Sequence, residues 1–252
     1  MTRQTAVLIH SGGFTSRQWR KLAEMLSPGF HVIAPDLLGY GTPWPDGEPF
    51  HFRQDLDYLE TLLAEPVHLV GHSYGGFLAL QLALRHPERV RSIAAYEPVA
   101  FGALDDVEDA DARATLDNVS REWSGDPWLA AFVEWWNGRG AWDRLNEETR
   151  NAFRAVGWKL FQEVMSLGAD RTSRETYGTI TAPTLVMSGE LTPLASRRVA
   201  QKLAQALPDA RLKIFEGVGH MGPISHAAAV NAEIVQHLTE VSTRTSRSAS
   251  PL

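Results

Sequence analysis

The sequence predicts an α/β fold: a doubly wound, mostly parallel sheet of about six strands with an all-helical lid inserted into it. Two observations lead to this prediction. Short apolar segments alternate with helical patterns along most of the chain, and one long central segment contains helical patterns alone. Segments that are apolar on both faces are typical of buried parallel strands. The predicted strands cover residues 6–9, 31–34, 67–70, 93–96, 184–187 and 212–215.

The predicted core helices fill the connections between these strands. Apolar residues recur at helical spacing over 16–26, where Trp19, Leu22 and Leu26 would share one face. A second helix follows residue 73 and stops near Pro87, because proline disfavours helix in the residue before it. Two further helices are predicted over 199–207 and 227–239.

The segment 99–178 is predicted to form the lid. It contains helical patterns at 111–123, 126–136 and 146–167, and six of the eight tryptophans of the chain. A lid must face the sheet edge where ligands bind, so some of these side chains are expected to line a substrate pocket. For any one of them, packing of the lid onto the core remains the alternative. The tryptophans predicted to line the pocket are Trp128, Trp135, Trp136 and Trp158.

These patterns divide the chain into a core of residues 1–98 and 179–240, the lid at 99–178 and a tail at 241–252. The tail is rich in Ser, Thr and Arg and has almost no apolar content, so we expect it to be disordered. A length of 252 residues suits one such α/β domain with an insertion and is ample to bury a core.

Composition narrows the classes of partner. The net charge of -6 and the absence of a basic cluster argue against a nucleic-acid or anionic-membrane partner. No apolar stretch approaches the length of a membrane span, and the first apolar run is too short for a signal peptide. The chain has no cysteine, which excludes disulfides and thiolate metal sites. We therefore expect a cytoplasmic protein that acts on a small molecule.

The most informative motif lies at residues 71–76, which read GHSYGG. A strand, a G-x-S-x-G turn and a helix in that order are typical of a nucleophile elbow. The turn is too tight for bulk two residues before and two residues after the serine, and Gly71 and Gly75 meet this requirement. The pattern predicts that Ser73 is a nucleophile held above the sheet edge at the start of a helix.

Several segments at matching separations resemble the α/β-hydrolase superfamily over nearly the whole chain apart from the lid and tail. Residues 9–14 (IHSGGF) are similar to its His-Gly oxyanion loop, with Ser11 where the family has glycine. Residues 34–41 (APDLLGYG) resemble its Pro-Asp-x-x-Gly-x-Gly loop, and residues 182–186 (APTLV) its strand after the lid. The resemblance implies the α/β-hydrolase fold. Without the hairpin that usually precedes the family's first strand, we expect a minimal six-stranded parallel sheet.

A serine hydroxyl needs a base and an oxyanion hole. The candidate base is His220, in a glycine-rich loop after the last strand that resembles the family's catalytic histidine loop (GVGHMGP, 217–223). His226 is the nearest rival but lacks the glycine context. One oxyanion donor is the backbone N–H of Tyr74, directly after the nucleophile. By resemblance the other is Gly12, with Gly13 as the alternative.

The acid of the predicted triad departs from the family pattern. The family commonly places an aspartate after the strand that follows the lid, and this chain has Thr192 at that position. The favoured substitute is Glu97, at the end of the strand before the lid, where some members of the superfamily carry their acid. A carboxylate at that buried position is also costly unless it is paired. Glu190 is the alternative acid, and a dyad without an acid is the third possibility.

The sequence therefore predicts a carboxylesterase-like serine hydrolase. It would cleave an ester, thioester or lactone of a small, mostly apolar substrate through an acyl-enzyme on Ser73, without a metal or other cofactor. Three alternatives remain: a carbon–carbon bond hydrolase with the same triad, a ligand-binding protein with a weakly active pocket, and an interaction protein that docks through its Trp-rich lid. The sequence makes no prediction about oligomeric state.

Overall fold

The computed structural model describes residues 3–42, 44 and 49–248. Its centre is a six-stranded sheet in the order β2-β1-β3-β4-β5-β6, in which every neighbouring pair is parallel. The predicted α/β fold and the six predicted strands are confirmed. The strands are β1 (Gln4–Ile9), β2 (Phe30–Ile33), β3 (Val67–His72), β4 (Val90–Tyr96), β5 (Thr184–Gly189) and β6 (Ala210–Phe215).

The strand order places two loops side by side. The chain runs from β1 outward to β2 and then returns to β3 on the other side of β1, so the order reverses between β1 and β3. In open α/β sheets the crevice at such a reversal, outside the carboxyl ends of the strands, is where ligands bind. The loop after β1 and the turn after β3 both open into this crevice.

Helices cover both faces of the sheet and bury two separate apolar clusters. One cluster packs the helices over 52–60, 74–85 and 194–206 onto the sheet, and the other packs the helices over 20–26 and 227–248 onto the opposite face. No helix within the described residues is long and apolar enough to cross a membrane. The core helices are α1 (Arg20–Leu26), α2 (Phe52–Glu60), α3 (Tyr74–Arg85), α9 (Leu194–Ala206), α10 (Gly222–Ser225) and α11 (Ala227–Ser248).

The chain between β4 and β5 forms a helical insertion, and all of its residues are described. It contains no strand and buries an apolar cluster of its own. The predicted helix over 111–123 is wrong in its extent, because the α-helix ends at Ala114 and a 3-10 turn ends at Asn118. The side chains of Thr115 and Asn118 hydrogen-bond to nearby carbonyls, which competes with continuation of the helix. The insertion helices are α4 (Ala110–Ala114), α5 (Asp126–Asn137), α6 (Ala141–Arg144), α7 (Glu147–Ala169) and α8 (Arg174–Tyr177).

The predicted disordered tail is wrong for residues 241–248, which continue α11. Val241 is buried, and the Ser242 hydroxyl contacts the side chains of Gln4 and His68. These contacts with the start of the chain and with β3 stabilise helical turns whose composition is polar. The last four residues, 249–252, lie outside the described part of the chain.

Candidate active site

The turn after β3 has the geometry of a nucleophile elbow. Ser73 adopts φ 54° and ψ −116°, a strained conformation that costs about 1–3 kcal/mol and is typical of functional sites. A Cβ on Gly71 would lie 2.3 Å from the carbonyl oxygen of Gly75, and a Cβ on Gly75 would lie 2.3 Å from that of Ile9. No side chain fits at either position. The two glycines therefore allow the turn that presents Ser73 at the start of α3.

His220 lies beside the same turn and contacts a buried carboxylate. Its Nδ1 is 2.6 Å from Oε2 of Glu97, which is fully buried at the end of β4. Because a carboxylate only accepts, this contact places an imidazole hydrogen on Nδ1, so the neutral form of the ring has its lone pair on Nε2. The structure thus brings together Glu97 and His220, which are 123 residues apart in sequence.

The other contacts of Glu97 show what Thr192 does at the position where the family usually has its acid. The Thr192 hydroxyl donates to Oε2 at 2.6 Å, and the backbone N–H of Gly189 donates to Oε1 at 2.7 Å. Thr192, which replaces the aspartate, is thus a donor to the carboxylate of the neighbouring strand. Glu190 instead accepts from the backbone N–H of Gly217 and is exposed, without a contact to His220.

A second histidine, His72 of the elbow motif, supports the His220 loop. His72 Nε2 lies 2.9 Å from the backbone carbonyl oxygen of His220, to which it donates, and its Nδ1 accepts from Gln18 at 3.1 Å. Burial lowers the pKa of His72 well below its ordinary value, so the ring is neutral and can make both contacts. Its place inside the G-x-S-x-G motif is the only signal that pointed to it.

The two residues predicted to supply oxyanion-hole donors, Gly12 and Tyr74, line the same cavity as Ser73. Tyr74 is the first residue of α3, where N–H groups have no acceptor within the helix. Gly12 borders the same cavity, and its N–H has no acceptor among the described residues. The N–H of Gly13, the alternative, donates to the hydroxyl of Tyr40 at 3.0 Å. The geometry therefore favours Gly12 over Gly13 as the second donor.

A cavity of about 980 Å³ opens above these residues, between the sheet edge and the helical insertion. Ser73, Gly12 and His220 lie in its wall, and much of the remaining wall is apolar. Arginine and aspartate side chains of the insertion also reach it, among them Arg113 and Asp106, which pair with each other at 2.9 Å. A volume of this size is typical of a site for a small molecule.

The four predicted pocket tryptophans divide into two pairs. Trp135 and Trp136 line the cavity. The prediction is wrong for Trp128 and Trp158, which are not part of its wall. Trp128 is buried inside the insertion, where it stacks on Phe132, and Trp158 is 45% exposed on the outer face. Both lie on helices that also line the cavity, but their positions around the helix turn them away from it.

Trp136 covers the imidazole of His220. The two ring centroids are 3.5 Å apart and the planes are nearly parallel, at 16°. His72 lies on His220 at a centroid distance of 4.8 Å and a tilt of 46°. These contacts restrict rotation of His220 and connect α5 of the insertion directly to the candidate base.

A buried ionic cluster, consisting of Asp55, Lys159, Glu163, Tyr40 and Tyr74, lies behind the oxyanion loop. The Lys159 ammonium contacts Glu163 and lies 2.9 Å from Oδ2 of Asp55. The Tyr40 hydroxyl donates to Glu163 Oε2, and the Tyr74 hydroxyl donates to Asp55 Oδ2, both at 2.9 Å. The cluster therefore joins the insertion to both segments that carry the candidate oxyanion donors. Sequence reasoning missed it, because its members are far apart in the chain.

Comparison with known proteins identifies the family. Residues 6–233 match the model of the alpha/beta hydrolase family. The chain belongs to the alpha/beta hydrolase family. The match spans β1 and the loop after it, the turn after β3 and the His220 loop, so the resemblance seen in the sequence is confirmed. Among the described residues, no group of three or more His, Asp or Glu side chains is arranged to hold a metal ion.

Two curated relatives cover nearly all of the chain. A 2-hydroxy-6-oxononadienedioate/2-hydroxy-6-oxononatrienedioate hydrolase of Cupriavidus pinatubonensis is 26% identical over 93% of this chain and 86% of its own length. A pimeloyl-[acyl-carrier protein] methyl ester esterase of Chromobacterium violaceum is 27% identical over 92% and 93%. The solved structure of MenH from S. aureus has a TM-score of 0.77 at 18% identity and covers 96% of both chains. The likeness to MenH shows a shared fold, and the names of the two curated relatives give different substrates.

Proposed function

We propose that this protein is a serine hydrolase that cleaves an ester, thioester or lactone of a small, mostly apolar substrate through an acyl-enzyme on Ser73. The observation that carries the proposal is the 2.6 Å contact between His220 Nδ1 and the buried Glu97, in a cavity that Ser73 also lines. The esterase from Chromobacterium violaceum supports ester chemistry. The apolar wall of the cavity supports the substrate class.

In the proposed reaction, the lone pair of His220 Nε2 takes the proton of Ser73 as its Oγ attacks the substrate carbonyl. Glu97 orients the imidazole and stabilises the cation that forms. The backbone N–H groups of Gly12 and Tyr74 hold the negative oxygen of the tetrahedral intermediate. His220 then gives its proton to the departing alcohol or thiol. A water molecule, deprotonated by His220, releases the acyl group and regenerates the Ser73 hydroxyl.

The first test is intact mass after incubation with a fluorophosphonate, which forms a stable adduct only with an activated serine. We expect one adduct on the wild type and none on Ser73→Ala. A screen of esters, thioesters and lactones would then identify the bond that the protein cleaves. The labelled protein, whose serine is blocked, serves as the blank in this screen. Absence of an adduct on a folded wild type would contradict the proposal and favour a ligand-binding protein.

A carbon–carbon bond hydrolase is the second candidate, and the relative from Cupriavidus pinatubonensis favours it. The same serine, histidine and carboxylate would catalyse that reaction. The arrangement of these three groups therefore does not distinguish carbon–carbon cleavage from ester cleavage. The direct comparison is kcat/KM for 2-hydroxy-6-oxononadienedioate against kcat/KM for p-nitrophenyl butyrate. A larger value for the dienedioate would replace ester cleavage as the proposed reaction.

A further inference from the structure

We propose that Glu163 is a hydrogen-bond acceptor subsite of the cavity, which selects esters that carry a hydroxyl or amino group close to the scissile carbonyl. The inference rests on the proposed function, because it assigns a substrate feature to the same cavity. Glu163 is 1% exposed, and it lies in the wall that Ser73 also lines. A Cβ on Gly12 would lie 2.7 Å from Glu163 Oε2, so this carboxylate lies directly against the oxyanion loop.

The charges around Glu163 are incompletely compensated. The buried ionic cluster contains two carboxylates, Asp55 and Glu163, and one ammonium, Lys159, which contacts both. Tyr40 adds no charge, because burial and the nearby Glu163 raise its pKa well above the ordinary value. His10 adds none either, since burial lowers its pKa to about 4. When Glu163 is ionised, a donor or cation supplied by a ligand would therefore complete the compensation.

The hydrogen-bonding capacity of Glu163 is also only partly used. Oε1 accepts from Lys159 and Oε2 accepts from Tyr40, whereas each carboxylate oxygen can accept two hydrogen bonds. Burial, with Asp55 adding to it, raises the pKa of Glu163 to about 7 despite the adjacent Lys159. A buried carboxylate with unused acceptor capacity favours a ligand that brings an O–H or N–H. It disfavours a ligand with a carboxylate at the same place.

A purely structural role would make Glu163 a tie between the helical insertion and the core. That tie exists without it, because Lys159 on α7 already contacts Asp55 on α2. The two roles predict different kinetics. Loss of a structural tie lowers kcat/KM for all esters by a similar factor, whereas loss of an acceptor subsite lowers it selectively for esters that carry a donor.

The test compares phenyl esters of 2-hydroxybutyrate, 3-hydroxybutyrate and 2-aminobutyrate with the 2-methyl and 3-methyl isosteres. Each enzymatic kcat/KM is divided by the rate of hydroxide-catalysed hydrolysis of the same ester, which removes differences in intrinsic reactivity. In the wild type we expect a corrected preference of about 10- to 100-fold for at least one donor ester, the effect of a hydrogen bond to a charged group. Comparison of the amino ester with the hydroxy esters shows whether the subsite prefers a cationic or a neutral donor.

The variants then assign the preference to the residue. Glu163→Gln and Glu163→Met should lower the preference at least tenfold, and Glu148→Gln, an exposed carboxylate on the same helix, should leave it unchanged. No corrected preference in the wild type, or an unchanged preference in folded Glu163 variants, would overturn the subsite. The comparison of donor esters with their methyl isosteres in the wild type tests the subsite even where a variant fails to fold. Fluorophosphonate labelling of Ser73 in the same preparations shows separately whether the proposed function stands.

Discussion

At the scale of single residues, the most informative position is Glu97. Its φ of 44° is in the left-handed region, which a glutamate adopts only when its surroundings hold it there. Thr192, Gly189 and Ser196 all direct donors at the carboxylate, in addition to His220. This arrangement keeps a fully buried carboxylate in one orientation, as an acid that positions an imidazole requires.

The first prediction concerns this carboxylate. Glu97→Gln should lower kcat by up to about 10⁴-fold, because the amide cannot hold the imidazole in the same tautomer or stabilise its cation. The matched control is Glu190→Gln, which changes the same functional group in the loop after β5 and should leave kcat within about twofold. Steady-state kinetics on the best ester of the screen measure both. A large loss of kcat in the Glu190 variant with a small loss in the Glu97 variant would contradict the assignment of Glu97 as the acid.

At the scale of elements, α5 matters because it carries Trp136 to the face of His220. The stacked indole shields the imidazole from water and attracts the cation that forms during the proposed reaction. Trp135, the next residue, is anchored by a 2.7 Å hydrogen bond from its indole N–H to the carbonyl oxygen of Thr115. The position of the insertion and the environment of His220 are therefore connected.

The second prediction follows from this contact. Trp136→Leu should lower kcat by about 2- to 30-fold, the range expected for loss of about 0.5–2 kcal/mol of cation–π attraction. Trp158→Leu, which removes an indole from the outer face of α7, serves as the control and should retain kcat. The rate of fluorophosphonate labelling should change in parallel with kcat. Equal activity of the Trp136 variant and the wild type would show that the stacking has no part in the reaction.

The last helix is the second element whose extent depends on tertiary contacts. The Ser242 hydroxyl contacts Gln4 in β1 and His68 in β3, which joins the end of the described chain to its beginning. Val241 is 4% exposed and packs on the side of α11 that faces the core. Residues without a strong helical pattern are thus held in a helix by the groups around them.

The third prediction tests this attachment. Ser242→Ala should lower the free energy of unfolding by about 0.5–1.5 kcal/mol, since it removes hydrogen bonds from partly buried groups. Thr243→Ala is the control, because the Thr243 hydroxyl is exposed and bonds only to the preceding turn of α11. Urea denaturation followed by circular dichroism compares the two. If both variants lose the same stability, the contacts with β1 and β3 contribute nothing specific.

At the scale of the whole molecule, several histidines are buried in neutral form. Burial lowers the pKa of His10 to about 4 and that of His68 to about 3. Both values are below the unfolded value of 6.5, so the unfolded chain binds more protons between these limits. The contribution of these two histidines to stability is therefore fully present above about pH 6.5 and is lost as the pH falls toward their folded pKa values. Glu163, whose pKa is raised to about 7, acts in the opposite direction.

The fourth prediction is a pH dependence of unfolding. The wild type should lose about 2 kcal/mol at pH 5 relative to pH 7.5 for each such histidine, partly offset by Glu163. His68→Gln should reduce this loss, because glutamine does not take up a proton on unfolding. His31→Gln, at an exposed position of β2, should behave as the wild type does. Urea titrations at pH 5 and pH 7.5 measure the free energy of unfolding of each protein. An equal loss of stability in the wild type and both variants would contradict the prediction.

Much of the fold was predictable because its signals are local. The four inner strands are short runs that are almost entirely buried, whereas the edge strands β2 and β6 are partly exposed, and proline or glycine lies near the strand ends. The elbow was predictable for a steric reason, since only glycine fits at positions 71 and 75 in the turn around Ser73. The helix at 111–123 and the tail were predicted wrongly because side-chain hydrogen bonds and contacts with distant strands decided them.

The sequence by itself determined the hydrolase fold, the elbow serine and the loop of His220, because each depends on neighbours a few residues away. Only the tertiary structure decided which carboxylate contacts His220, which tryptophans face the cavity and that Glu163 lies against Gly12. The physical reason is distance along the chain. Glu97 and His220 meet because parallel strands end at one edge of the sheet, and the buried ionic cluster forms because the insertion folds back over it.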